Sequence, residues 1–305
     1  MNRFSNKTAG IINSSDLKTK KGKIVYWTMV TILTINAICA LFPSIWVFLS
    51  GFKETKEIYS GFSLFPNEMS FKIFFAKITD ALVRMKFVRT AFNSLIVAVG
   101  TMFFEIMASA LAGFVLSRLK PKGTTLVFML IVWTMMLPGQ IRSVPLFISY
   151  LDFPFIAELP GEVSLIDTYW PIWLGAAASC FNIILFKNTF DGISQSLVDA
   201  AKIDGCTNLQ IFWKIMLPLC VPILIYLSIG AVKGAFSAFM PGYLIFQSES
   251  VRTLPVQVYM LQQDTSIQMN TYFLILTLSA MPTLIIYAIF NKHIVGGINV
   301  GAVKG

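Results

Sequence analysis

Six stretches of the chain run apolar for long enough to cross a bilayer. A hydrocarbon layer about 30 Å thick takes about 20 residues at about 1.5 Å of helical rise each. Ile24 to Leu49, Thr168 to Phe186, Ile215 to Val232 and Thr271 to Phe290 carry no charge. Ala91 to Leu116 carries only Glu105, and Thr125 to Gln140 continues apolar as far as Ile148 apart from Arg142. The fifth stretch has room to run past Lys233 towards Ile245. Lipid offers no partner to a bare N–H or C=O, so each stretch is expected to be helical. The pattern predicts an all-α, polytopic membrane helix bundle with about six transmembrane helices. It divides the chain into a tail at 1–23, a transmembrane domain at 24–290 and a second tail at 291–305. Lys18, Lys20, Lys21 and Lys23 precede the first stretch as they would a signal peptide. Its apolar run exceeds the about 7 to 15 residues of such a leader, so it reads as a retained helix.

Between the stretches, two segments stand out. In the long loop Ser50–Arg89, Phe71, Phe74, Phe75, Ile78, Leu82 and Met85 recur at helical spacing, with Lys72, Lys77, Asp80, Arg84 and Lys86 among them. That is an amphipathic helix, lying either on the outer membrane surface or against the bundle. The other segment is the 28-residue loop 187–214, far longer than the two to eight or so residues usual between packed helices. Ala108 and Ala112, Ser109 and Gly113, and the run Gly175–Ser179 are small residues at the spacing of close helix contacts. No repeat with a period of about 20 to 50 residues is visible.

Composition agrees with a membrane setting. Hydrophobic residues make up 56% of 305 positions and charged residues 13%, about half of what a water-facing surface needs. The net charge of +9 is read as lysine and arginine in loops beside anionic lipid, not as a nucleic-acid surface. Fourteen basic residues fall on the side shared by the termini and nine on the other, Lys233 being counted with its stretch; the positive-inside rule then puts both termini in the cytoplasm. The four cysteines form no C-x-x-C pair and read as small hydrophobes. His293 is the only histidine, which excludes a histidine-rich metal site, and no cofactor is expected.

The loop 187–214 carries the most specific signal. It reads F-D-G-I-S-Q-S-L-V-D-A-A-K-I-D-G from Phe190 to Gly205 and continues to I-M-L-P, Ile215 to Pro218. Ile193, Leu197, Ala200, Ala201 and Ile203 can share an apolar face of a short helix opposite Gln195, Asp199, Lys202 and Asp204. Two adjacent alanines leave a shallow surface, and Gly205 can adopt the left-handed conformation that stops a helix. A cytoplasmic helix outside any larger soluble domain buries its apolar face on a partner protein or on headgroups.

Asp199-Ala-Ala-x-x-Asp-Gly followed by Ile215-x-Leu-Pro resembles the E-A-A-x-x-x-G…I-x-L-P loop of ABC-importer permeases. Asn93-Ser-Leu-Ile-Val-Ala with Arg118, Met136-Leu-Pro-Gly-Gln, Val144-Pro-Leu and the ending Gly301-Ala-Val-Lys-Gly305 resemble the carbohydrate branch, the maltose-type second permease subunit in particular. Three positions depart from that pattern: Asp199 stands for the usual glutamate, Ser194 for a proline that opens the helix, and Ala235-Phe236 for a W-N pair before Pro241. The resemblance implies a passive permease subunit of a sugar importer. Asp199, Ala200, Ala201, Asp204 and Gly205 would then meet cytoplasmic ATPase subunits. A second permease subunit would complete the pore, and an extracytoplasmic solute-binding protein would deliver the cargo. Polyols and sugar phosphates are alternative cargoes.

Glu105 and Lys233 are the ionisable residues most clearly placed within or at the ends of apolar stretches. A charge at mid-bilayer costs at least about 2.5–3.5 kcal/mol, so both should face protein or water. They can line a polar pathway or pair with each other. Equally, Glu105 can accept hydrogen bonds from a neighbouring helix while Lys233 reaches the outer interface. Trp133, Trp170, Trp173 and Tyr243 can stack on sugar rings or anchor the interface. The only Gly-Lys, Gly22-Lys23, precedes Ile24, so the chain lacks a phosphate-binding loop of the G-x-x-x-x-G-K-[ST] type. A self-contained secondary transporter would want more intramembrane acids and bases together with inverted repeats. A membrane enzyme would want a His/Asp/Glu or Ser–His cluster.

Overall fold

The computed structural model describes residues 19–68, 70–151, 164–177 and 179–300, with only the backbone described at 140, 142 and 291–300. Most of the N-terminal tail, the side chain of His293 and the ending Gly301–Gly305 lie outside the described residues. The described residues form helices and connecting turns without strand. Four helical runs are long and apolar enough to cross a membrane. They are α1 (Lys20–Ser50), α4 (Phe87–Phe114) with a π-helical continuation to Leu119, the run Asn208–Ser237, and α14 (Met269–Val300) over Met269–Phe290. α14 thus continues beyond the expected boundary at Phe290. A fifth crossing is the pair α7 (Trp170–Ala177) and α8 (Cys180–Asp191), bent by 44° beside Ser179.

The expected third crossing takes a different form. α5 covers only Thr124–Met135, 12 residues, or about 18 Å at about 1.5 Å per residue. A 3₁₀ turn, Gly139–Arg142, and the short α6, Ser143–Leu151, follow it. Pro138 explains the interruption: it supplies no N–H, and its ring drives Leu137 away from helical backbone angles.

The chain divides into two units, residues 1–77 with 268–277, and residues 78–267 with 278–305. In the first, α1 leaves Ile24, Ile32 and Leu41 exposed, as a lipid-facing helix does. Its C-terminal end is closed by Lys53, which is 1% exposed. The Lys53 ammonium donates to Ser50 Oγ at 3.2 Å and to the Ser63 carbonyl at 2.6 Å, and lies 5.4 Å from the Trp46 ring centre. A buried ammonium is tolerable because carbonyl and ring replace its water. α2 (Thr55–Ser60) follows. α3 (Phe71–Arg84) occupies the expected amphipathic segment. Phe74 stacks on Phe52, whereas Phe71 and Phe75 stay exposed, so the two sides of the helix differ in burial.

The second unit is built around α4, which packs along α7, α8, α11 (Val221–Ser237) and α13 (Leu254–Gln262). Phe114, Phe186, Phe190, Phe212 and Met216 centre one core. Val97, Tyr150, Ile245, Phe246 and Val256, the second of these in α6 and the next from α12 (Met240–Ile245), centre another. Asn93 and Ser94, the start of the Asn93-Ser-Leu motif, are structural. Asn93 Nδ2 donates to the carbonyls of Ser250 and Arg252 at 2.9 Å each, and Ser94 Oγ accepts from Leu254 N–H at 2.9 Å.

Candidate coupling loop and intramembrane groove

The loop 187–214 is a folded element. α9 (Gln195–Ile203) ends at Asp204, and Gly205 stands at φ 80°. Gly205 N–H bonds the Lys202 carbonyl at 3.0 Å, and Cys206 N–H bonds the Ala201 carbonyl at 2.9 Å, which is a Schellman stop. A Cβ on Gly205 would meet nothing within 4 Å, so backbone conformation alone requires the glycine. Thr207 then caps α10 (Asn208–Ile211) reciprocally with Gln210, a T-x-x-Q box. Ser194, in the place of the family's proline, sits at φ −58°, an angle proline also takes.

α9 divides its apolar residues between the bundle and the surface. Val198 and Ala201, 2% and 6% exposed, enter the core formed with Phe190, Ile211 and Phe212, and Ile193 packs against it. Leu197 and Ile203 are 42% and 87% exposed. Positions 198 and 201 share one side of a helix, and the phenylalanine core takes that side because it is adjacent. Asp199, Ala200, Lys202, Asp204 and Gly205 all lie outside. The two alanines therefore separate: Ala201 seats the helix and Ala200 belongs to the free surface.

Arg118 mounts the loop. Its guanidinium donates to the carbonyls of Phe190 and Ile193 and, at 2.6 Å, to Gln195 Oε1. Gln195 Nε2 in turn donates to Asp199 Oδ1 at 2.9 Å. Beside it, Asp191 accepts from Ser117 Oγ at 2.6 Å and from the Lys187 ammonium at 2.7 Å. These bonds tie the π-helical end of α4, Val115–Leu119, to both α8 and α9. Sequence reading placed Arg118 at the end of its stretch without seeing this function. Its signal was a cation two residues short of a left-handed stop at Lys120.

Within the membrane-spanning region, Glu105 and Lys233 part company. Glu105 accepts a hydrogen bond from the Asn182 amide, and Asn182 is buried. Lys233 is exposed, and among the described residues the ion pairs are Asp80–Arg84, Lys86–Glu249 and Lys187–Asp191. Glu105 thus bonds a neighbouring helix and, among the described residues, does not pair with Lys233. Asn182 was missed, although an amide inside C-F-N-I-I-L-F is a polar signal of the kind that bonds across helices. Glu105 borders a groove of about 400 Å³ with Val97, Thr101, Asn182, Gly230 and Gly234. Trp170 and Trp173 pack on Phe104 and on each other, which accounts for both by aromatic packing.

A fold of this kind is known. A chain of a bacterial ABC transporter involved in the import of the acidic polysaccharide alginate superposes with a TM-score of 0.72 at 23% identity, covering 90% of this chain and 98% of that one. A probable ABC transporter permease protein of Bacillus subtilis, YurM, is 28% identical over 96% of this chain and 94% of its own. The arabinooligosaccharides transport system permease protein AraQ of Halalkalibacterium halodurans is 28% identical over 95% of this chain and 100% of its own. The family model described as the inner membrane component of binding-protein-dependent transport systems matches residues 105–300, a span that takes in Glu105, the bent α7–α8 pair and the whole of the loop that ends α9 at Gly205. The chain belongs to that family, as an integral membrane permease.

Proposed function

We propose that this chain is one membrane half of an ATP-driven importer of sugars or oligosaccharides, itself without ATPase activity. In this reading an extracytoplasmic binding protein delivers the cargo and a second permease subunit completes the pore. Cytoplasmic ATPase subunits dock on α9, and both termini face the cytoplasm of a cell whose plasma membrane holds the complex. The observation that carries the proposal is the build of α9. Its inner side chains are fixed in the core and its stop is a left-handed glycine. Asp199, Ala200, Asp204 and Gly205 are left exposed on a shallow surface. A helix held this way moves only together with the ends of α4 and α8, so a push from below is transmitted into the membrane. The near full-length likeness to AraQ supports sugar as the cargo class.

Gly205→Val tests this. Positive φ costs a non-glycine residue roughly 1 kcal/mol, and a β-branched one more. Because no atom lies near the new Cβ, the bundle should survive. The expected result is normal insertion and helical content with loss of ATPase association or of transport-coupled hydrolysis, while Lys202→Ala does much less. Normal uptake by Gly205→Val at normal expression would overturn the docking role.

A further inference from the structure

We infer that cargo passes along the cavities where the third and fourth stretches lose their helix, and that Glu105 selects uncharged sugars there. This rests on the sugar-importer reading. An interrupted helix at membrane depth leaves backbone groups that lipid cannot satisfy, so such interruptions persist only inside protein or beside water-filled space. Here both interruptions reach one cavity of about 430 Å³. Leu137 and Gly139 come from the break after α5, Ser179 from the break between α7 and α8, Cys180 from the first turn of α8, and Glu105 from α4. Glu105 also borders the groove of about 400 Å³ beside α11. There Gly230 and Gly234 leave room, a Cβ on either meeting nothing within 4 Å. Two irregular backbones, an open glycine face and the one carboxyl group described inside a span thus converge on adjoining space.

The charge of that space decides the class of cargo. Among the described residues, neither cavity has a lysine or arginine in its lining, and Glu105 is the one carboxyl group there. Its Oε1 is taken by the buried Asn182 amide, which orients the carboxylate and leaves acceptor capacity for sugar hydroxyls. A second negative charge about 5 Å away in such a setting is disfavoured on the order of a hundredfold. Uronides and sugar phosphates therefore fit this face poorly, and neutral sugars fit it well. Glu105 is thereby a specificity-determining residue, and sugar phosphate falls out as the alternative cargo.

The test uses the assembled transporter in cells with its own partners. Uptake is followed with radiolabelled maltotriose, xylotriose and arabinotriose, and with trigalacturonate. We expect uptake of at least one neutral trisaccharide and none of trigalacturonate. Glu105→Gln keeps the shape and the Asn182 bond but loses a charged acceptor, and should lower that uptake by about tenfold with every subunit still co-purifying. Trigalacturonate uptake by the unaltered transporter overturns the inference, as does unchanged neutral uptake in the variant. Loss of the second permease subunit from the Glu105→Gln complex also overturns it, because the cavity would then be filled by that subunit. Uptake of none of the four probes by an intact assembly removes the sugar-importer reading itself.

Discussion

Gly113 and Gly205 sit at opposite ends of the mechanical path proposed here, and they are glycines for opposite reasons. At Gly113, where α4 meets α8, a Cβ would lie 2.7 Å from Phe186 Cβ and 2.9 Å from the Lys187 backbone nitrogen. Its backbone is ordinary helix, so contact forbids a side chain. At Gly205 space is free and the dihedral angle forbids it. The contact inside the membrane is therefore made by absence of volume, and the contact below it by a turn. One region holds the bundle together. The other shapes a surface that the bundle itself leaves uncovered.

Substitutions separate the two. The largest effect is expected from Gly113→Val, since neither Phe186 Cβ nor backbone nitrogen can move away cheaply. Overpacking of this kind costs about 1–3 kcal/mol or more. Membrane yield and thermal stability of the purified chain should both fall, where Gly205→Val leaves them intact; equal stability of the two variants would erase the distinction. Next comes Arg118→Ala, which strips the Phe190 and Ile193 carbonyls and Gln195 of their donor. These acceptors are exposed or only partly buried, so water replaces most of what is lost and the net cost is on the order of 1 kcal/mol. Protease cleavage within 187–214 should accelerate while the spans stay inserted, and ATPase coupling should weaken. Unchanged cleavage would show that core packing alone mounts α9. The smallest change is Thr207→Ala, which removes the cap of α10 at about 1 kcal/mol. It should raise amide exchange locally at 207–211 and leave transport within about twofold. A large transport defect would mean that α10 takes part in docking.

Much of this was legible along the chain. Apolar runs reveal lipid-compatible helices because the bilayer leaves no other solution for the backbone. The amphipathic segment at Phe71–Arg84 and the stop at Gly205 follow equally from local chemistry. Two features were not read there, for separate reasons. Which apolar residues of α9 turn inward stayed open along the chain, because Leu197 and Ile203 are as apolar as Val198, and only the position of Phe190 and Phe212 selects among them. The third crossing was expected to be continuous because hydropathy does not register the backbone donor that Pro138 lacks.

By itself, then, the sequence determined the membrane class, the helical content, and the loop of family pattern between Asp199 and Pro218, since each depends on residues adjacent along the chain. Tertiary structure alone decided that Ala201 is buried while Ala200 is free, and that Arg118 grips the loop. It also decided that Glu105 bonds Asn182, 77 positions away, in place of Lys233. Those choices are made between side chains brought together by helix packing. The free energy of a polar group in an apolar interior depends on which partner stands within about 3 Å of it, a quantity that no local pattern carries.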